Sequence, residues 1–350
     1  MLVKSLTALS QAHHGALTAP YRAALRARRF RNAAFNAPAD APEVSTVTTV
    51  DGARLRVHSY GPADAEPIVF IHGWSCCIEY WNPQINAFAG RYRVISYDQR
   101  GHGESTLGRA PLGDRTLADD LAAVLDATLR PARTALLVGH SMGGITLQAW
   151  AARHPEQVTR RARAVVLANT TSGNIRYDTD LLPLLNKPLS VGNQPITVLG
   201  SPVRLPMIVA ESILTSPVPL PGGWAARELL KQRIMARGAT NEQADFALSI
   251  VRSCRPLARG RHAAILADLQ LGEAAANLTV PTTIIAGQYD RLLPERMSRI
   301  IADTMEKAGH RPDYQVWPTG HLGNIEAADR FDTELTSILN RTGSRSVAAG

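Results

Sequence analysis

The sequence predicts an α/β protein: a doubly wound, mostly parallel eight-stranded sheet with a helical lid inserted between two of its strands. Three observations carry that prediction. From Val44 onward, short apolar or β-branched runs alternate with stretches of helical period. Most of the runs are continuously apolar, the pattern of strands covered on both faces. Between about residues 173 and 278 the alternation stops, and Pro-punctuated helical segments take over.

The first two strands are Val47–Val50 and Arg54–Tyr60, a hairpin turning at Asp51-Gly52. Ile68–Ile71, Arg93–Tyr97, Ala135–Val138, Ala164–Ala168 and Thr282–Ala286 follow, each too short for a helix and so expected as a buried parallel strand. Tyr314–Trp317 completes the set. Helical periods at Thr116–Leu129, Gly144–Arg153 and Glu295–Lys307 supply crossovers. Within the insertion, Ala225–Arg237 and Asn241–Cys254 have helical patterns, and Val203–Ile213 is an apolar segment. The expected organisation is a basic helical arm over 1–43, a core over 44–172 and 279–340, a helical cap or lid over 173–278, and a flexible tail over 341–350.

A single α/β domain with a large insertion accounts for 350 residues. Net charge is +8, but six Lys and Arg residues fall in 1–42, leaving 32 basic against 29 acidic residues elsewhere. A basic arm on a balanced body, with no basic aromatic stripe, argues against nucleic-acid binding. Cys76 and Cys77 are adjacent and only Cys254 remains, so a disulfide framework is not expected and a reducing, cytoplasmic location fits. No apolar run reaches the roughly 20 residues that cross a bilayer, and no leader-like apolar region is present. Without HExxH, paired CxxC or a Gly-rich phosphate loop, neither metal nor cofactor is expected. In the arm, Leu2, Leu6, Leu9 and Leu17 recur at helical spacing, while Arg22, Arg26 and Arg29 line a second face beyond Pro20, which reads as two short helices. Such an arm suits docking on its own domain or peripheral contact of residues 1–38 with an anionic membrane.

The chemistry centres on Gly139-His140-Ser141-Met142-Gly143, which joins a strand directly to a helix. Two glycines and a serine at this spacing arise by chance in about one chain in ten of this length, at usage near 7% each. The context is more informative. A serine on a sharp strand-to-helix turn presents Oγ above the sheet, glycines relieve the crowding, and the helix start favours a developing oxyanion. A second donor is expected where Ile68–Ile71 runs into His72-Gly73-Trp74. The amides of Trp74 and Met142 would form the oxyanion hole, and Gly73 would let the loop approach closely. Trp74 would line the substrate pocket or pack in the core; His72 would brace the loop.

A base must lie in a loop near the sheet's C-terminal edge, and His321 follows Tyr314–Trp317. His140, His154, His262 and His310 fit that position less well. The orienting carboxylate should end a strand between Ser141 and His321. Asp290, after Thr282–Ala286, does so; Asp98, Asp178, Asp180 and Asp268 are poorer candidates. The stretch Tyr97–Ser105 is rich in polar groups and glycine, but a tight turn after a buried strand needs both, so Asp98, Arg100 and His102 are expected to be structural.

HGW at 72–74, YDQRGHGES at 97–105, GHSMGG at 139–144, GQYD at 287–290 and GH at 320–321 together resemble the α/β-hydrolase fold superfamily, in its esterase and lipase-like branch. The resemblance spans about residues 44 to 340. It implies a catalytic triad of Ser141, His321 and Asp290 with an oxyanion hole at Trp74 and Met142. It disfavours epoxide hydrolase and haloalkane dehalogenase chemistry, whose nucleophile is Asp. The expected activity is hydrolysis of a small-molecule or lipid-like carboxylic ester with an apolar acyl or alkyl group, the leucines Leu181, Leu182, Leu184 and Leu185 contributing to an apolar lid. C–C bond hydrolase, lactonase and perhydrolase chemistry share the triad, and a low-turnover ligand-binding protein could retain it. The oligomeric state is left open.

Overall fold

The computed structural model describes residues 16–180 and 220–347, with four two-residue strand pieces between 190 and 202. Eight strands form one sheet: β1 (Glu43–Thr48), β2 (Arg54–Tyr60), β3 (Pro67–Ile71), β4 (Arg93–Tyr97), β5 (Ala135–His140), β6 (Ala162–Ala168), β7 (Thr282–Gly287) and β8 (Asp313–Trp317). Their order is β1-β2-β4-β3-β5-β6-β7-β8. Only the pairings of β2 with β1 and β4 are antiparallel; every other neighbour pair is parallel. The doubly wound, mostly parallel eight-stranded sheet expected from the sequence is present.

Alternate residues of the parallel strands feed two cores. Ile68 and Phe70 of β3 face Trp81, Phe331 and Leu335, whereas Val69 and Ile71 face Leu121, Leu125 and Trp150. Both faces are covered, which is why these strands lack a polar alternation. Crossover helices run over Asp114–Thr128, Met142–Arg153 and Glu295–Lys307. Pairing register places Ile71 opposite Gly139, His140 opposite Ala168, and Gly287 opposite Trp317. The C-terminal ends of β3, β5, β6, β7 and β8 therefore open onto one edge, where an open α/β sheet builds its site.

The insertion contributes helices Trp224–Ile234, Asn241–Ser253 and Pro256–Asp268. Two short antiparallel pairings, Ser190–Val191 with Gln194–Pro195 and Thr197–Val198 with Ser201–Pro202, add β-structure to a segment expected as helical. Leu181, Leu182, Leu184, Leu185 and the Val203–Ile213 segment lie outside the described residues. Thr240 and Gln243 close a reciprocal cap on the helix Asn241–Ser253, and Gln243 Nε2 also donates to the carbonyl of Ile325 at 3.0 Å, tying cap to core.

The arm differs from expectation. One helix runs through residues 16–27, with Pro20 inside it, instead of two pieces divided there. Arg22 pairs with Glu104 at 3.0 Å, Arg26 with Glu79 at 2.8 Å, and Arg28 with Asp245 of the cap at 3.2 Å. Phe35 stacks on Phe246 of the cap at 4.8 Å, and Phe30 meets both rings edge-on. These residues dock on the chain's own core and cap. At the other end the helix Ala328–Val347 continues through most of the stretch expected as a flexible tail from 341. No described helix is long and apolar enough to cross a membrane. Cys76, Cys77 and Cys254 are buried free thiols.

Candidate active site

Ser141 stands between β5 and the helix Met142–Arg153 with φ 53° and ψ −118°, a conformation that costs a non-glycine residue strain. The surroundings hold it there. Its amide donates to Ala168 O at 2.9 Å, and its carbonyl accepts from Thr170 Oγ1 at 2.7 Å and from the amide of Gly144 at 2.9 Å. A Cβ on Gly143 would lie 2.1 Å from Ile71 O, and one on Gly73 would lie 3.1 Å from Ser141 Cβ. Glycine at these two positions lets β3 and its following loop close against the elbow.

His321 and Asp290 meet directly. His321 Nδ1 is 2.7 Å from Asp290 Oδ2, and both residues are buried. Asp290 Oδ1 accepts from the amides of Leu292 and Leu293, each at 2.9 Å. An acceptor at Nδ1 fixes the neutral imidazole as the Nδ1–H tautomer and leaves Nε2 able to take a proton. The Ser141 hydroxyl makes no hydrogen bond among the described residues; serine-to-base hydrogen bonds commonly tighten only once substrate is bound.

Among the described residues, neither the Trp74 amide nor the Met142 amide donates to a protein acceptor. Two unpaired N–H groups flanking a serine are suited to an anionic oxygen. Trp74 is only partly buried, and its Nε1 donates to the carbonyl of Arg259 in the cap at 2.9 Å. Its ring packs against Leu117, Met142, Ile145, Leu266 and Leu269, an apolar cluster next to the elbow.

The other polar residues near the elbow are structural. His72 Nδ1 donates to Gly73 O at 2.7 Å while Nε2 accepts from Gln99 N at 3.0 Å, and burial pushes its pKa down, so it braces the loop as a neutral ring. Asp98 accepts from the amides of Ile78 and Glu104 and pairs with Arg56 at 2.6 Å. Arg100 forks onto Asp120 and Asp51, and His102 Nε2 accepts from the amide of Ser75 at 3.2 Å. His140 is fully buried, and burial holds its pKa well below the usual range, with nearby His321 a lesser cause; its Nε2 donates to the carbonyl of His321 at 2.8 Å. Asp180 pairs with Arg296 and Asp268 with Arg176, so neither competes with Asp290.

Two residues whose side chains hold the His321–Asp290 pair in place were not singled out by the sequence. Asn169, directly after β6, donates to Asp290 Oδ2, and Glu326 accepts from amides on both sides of His321. For Asn169 a signal existed: a polar side chain at the C-terminal end of a buried strand, the same position that singled out Asp290.

The sheet order and this edge define an α/β hydrolase, and over residues 68–333 the sequence matches the alpha/beta hydrolase family. The chain belongs to that family. A non-heme chloroperoxidase of Streptomyces lividans is 37% identical over 144 residues, 40% of this chain and 51% of that protein; the chain spans about half the length of such relatives. A 3-oxoadipate enol-lactonase of Acinetobacter baylyi is 26% identical over 288 residues, 81% of this chain and 92% of its own. Among solved structures, a thermophilic esterase from Thermogutta terrifontis superposes with a TM-score of 0.64 at 20% identity, over 86% of this chain and 99% of its own. The enol-lactonase from Burkholderia xenovorans gives 0.63 at 22%, over 85% and 100%. At these identities the structural likeness establishes the fold.

Proposed function

We propose that this chain is a serine hydrolase that cleaves a carboxylic ester through an acyl-enzyme on Ser141. The observation that carries the proposal is the 2.7 Å hydrogen bond between His321 and Asp290 at the same sheet edge as a strained serine elbow. His321 Nε2 takes the hydroxyl proton as Ser141 Oγ attacks the carbonyl carbon. The carbonyl oxygen becomes anionic and accepts from the amides of Trp74 and Met142. Collapse expels the alcohol, which takes the proton from His321, and a water deprotonated by His321 then frees the acid. Asp290 keeps the imidazole in one tautomer and stabilises its cation.

The cluster of Trp74, Leu117, Met142, Ile145, Leu266 and Leu269 supports an apolar acyl or alkyl group on a small-molecule or lipid-like substrate. A lactone is a second reading, favoured by the enol-lactonase whose similarity extends over 81% of this chain; a cyclic ester passes through the same steps.

Replacing Ser141 by Ala is expected to abolish fluorophosphonate labelling and to lower p-nitrophenyl ester turnover by about 10³-fold or more. Turnover retained by S141A refutes the assignment. An ester series from acetyl to octanoyl tests the apolar group, preference for acetyl counting against it, and lactones assayed in parallel decide the second reading.

A further inference from the structure

Three hydrogen bonds converge on Glu326. Its Oε2 accepts from the amides of Ala236 at 2.8 Å and Gly320 at 2.9 Å, and its Oε1 accepts from the amide of Leu322 at 3.0 Å. Gly320 and Leu322 are the neighbours of His321, and Ala236 belongs to the cap, just beyond the helix Trp224–Ile234. The backbone of His321 is tied down as well. Its amide donates to Ile234 O at 2.7 Å, and its carbonyl accepts from His140 Nε2 at 2.8 Å.

We propose that Glu326 is a positioning residue: one carboxylate clasps the peptide units on both sides of His321 to the cap at Ala236 and so holds the imidazole in line with Ser141. The role rests on the assignment of His321 as the base. Three N–H donors meeting two oxygens require acceptors at both, which only the ionised carboxylate provides. A carboxamide would turn an NH2 group toward one of the amides. Burial pushes the Glu326 pKa above its usual value, and the hydrogen bonds from Ala236, Gly320 and Leu322 offset part of that rise. Ile234 O and Ala236 N both belong to the cap, so cap and base are held by a paired contact with Glu326 as its one side-chain member.

The test compares the wild type with E326A, E326Q, E326D and S141A, each at a temperature where circular dichroism shows it folded. The readouts are kcat and KM for a p-nitrophenyl ester and the rate of fluorophosphonate inactivation, which needs the base but no turnover. E326A is expected to lower kcat and the inactivation rate together by about 10- to 100-fold, with KM within about threefold of wild type. E326Q should fall between them, because one oxygen still accepts. Should E326A not fold, E326Q and E326D carry the comparison. Folded variants whose kcat and inactivation rate stay within about twofold of wild type, or that change KM alone, overturn the clasp. S141A separates the two levels: an inactive S141A beside a fully active E326A removes the clasp only, whereas an active S141A removes the base assignment and the clasp with it.

Discussion

Asn169 Nδ2 donates to Asp290 Oδ2 at 3.2 Å, the oxygen that His321 Nδ1 also reaches, and to the carbonyl of Gly320 at 3.0 Å. One amide thus ties the carboxylate to the loop that carries the histidine. Together with the amides of Leu292 and Leu293 on Oδ1, it leaves the Asp290 carboxylate no freedom to rotate away from the imidazole.

Asn169→Ala is accordingly expected to lower kcat about 10-fold while costing about 1 kcal/mol of stability, the net worth of an ordinary hydrogen bond. Ester kinetics beside urea unfolding check both. A stability loss with kcat unchanged would show that Asn169 supports the fold alone.

Arg100 is fully buried between two carboxylates. It reaches Asp120 at 2.6 and 2.8 Å and Asp51 at 2.6 and 3.0 Å, and the Arg100 guanidinium holds the Asp51 carboxyl well below its usual range. Arg100→Met leaves the buried Asp120 unpaired, so a loss of about 3–5 kcal/mol is expected in chemical denaturation. A loss below about 1 kcal/mol would mean that the cluster reorganises around the apolar side chain.

Asp332, on the helix Ala328–Val347, accepts a hydrogen bond from Gln84, but burial pushes its pKa up from 3.8 to about 7. The folded chain therefore holds this proton more tightly than the unfolded chain. That contribution is complete below about pH 4 and is lost as pH rises to about 7. Asp332→Asn should raise Tm by at least about 2 °C at pH 8 and change it little at pH 4. Equal shifts at both values would contradict the sign.

Phe35→Ala removes the ring stacked 4.8 Å from Phe246 of the cap. A cost of about 3–5 kcal/mol is expected, as for other buried aromatics. Were residues 1–38 only loosely attached, the change would stay within about 0.5 kcal/mol, as at an ordinary surface site.

Ser141, Asp290 and His321 stood out in the sequence because each follows a strand-like run, continuously apolar or β-branched before Ser141 and Asp290 and mixed at Tyr314–Trp317 before His321, and strand ends in a parallel sheet meet at one edge. The same local signal located Gly73 and Trp74. Glu326 carried none, since its three donors come from Ala236, Gly320 and Leu322, and nothing near it in sequence announces the cap. The start of the cap helix Pro256–Asp268 is legible in Pro256 at its first turn, where proline favours a helix start. Pro20 does not divide the arm; the helix through residues 16–27 continues past it. The arm's partners, Glu79, Glu104 and Asp245, lie 53 to 217 positions away; a helical stripe shows that a face will be buried, not against what.

The match to the family as a whole begins at 68 and ends at 333. Cutting the chain there would remove β1 and β2 from the sheet edge, strip Phe30 and Phe35 from Phe246, and take Leu335, Ile338 and Leu339 out of the core. A truncation drawn at those bounds would yield a chain that keeps Ser141, Asp290 and His321 around an unfinished interior.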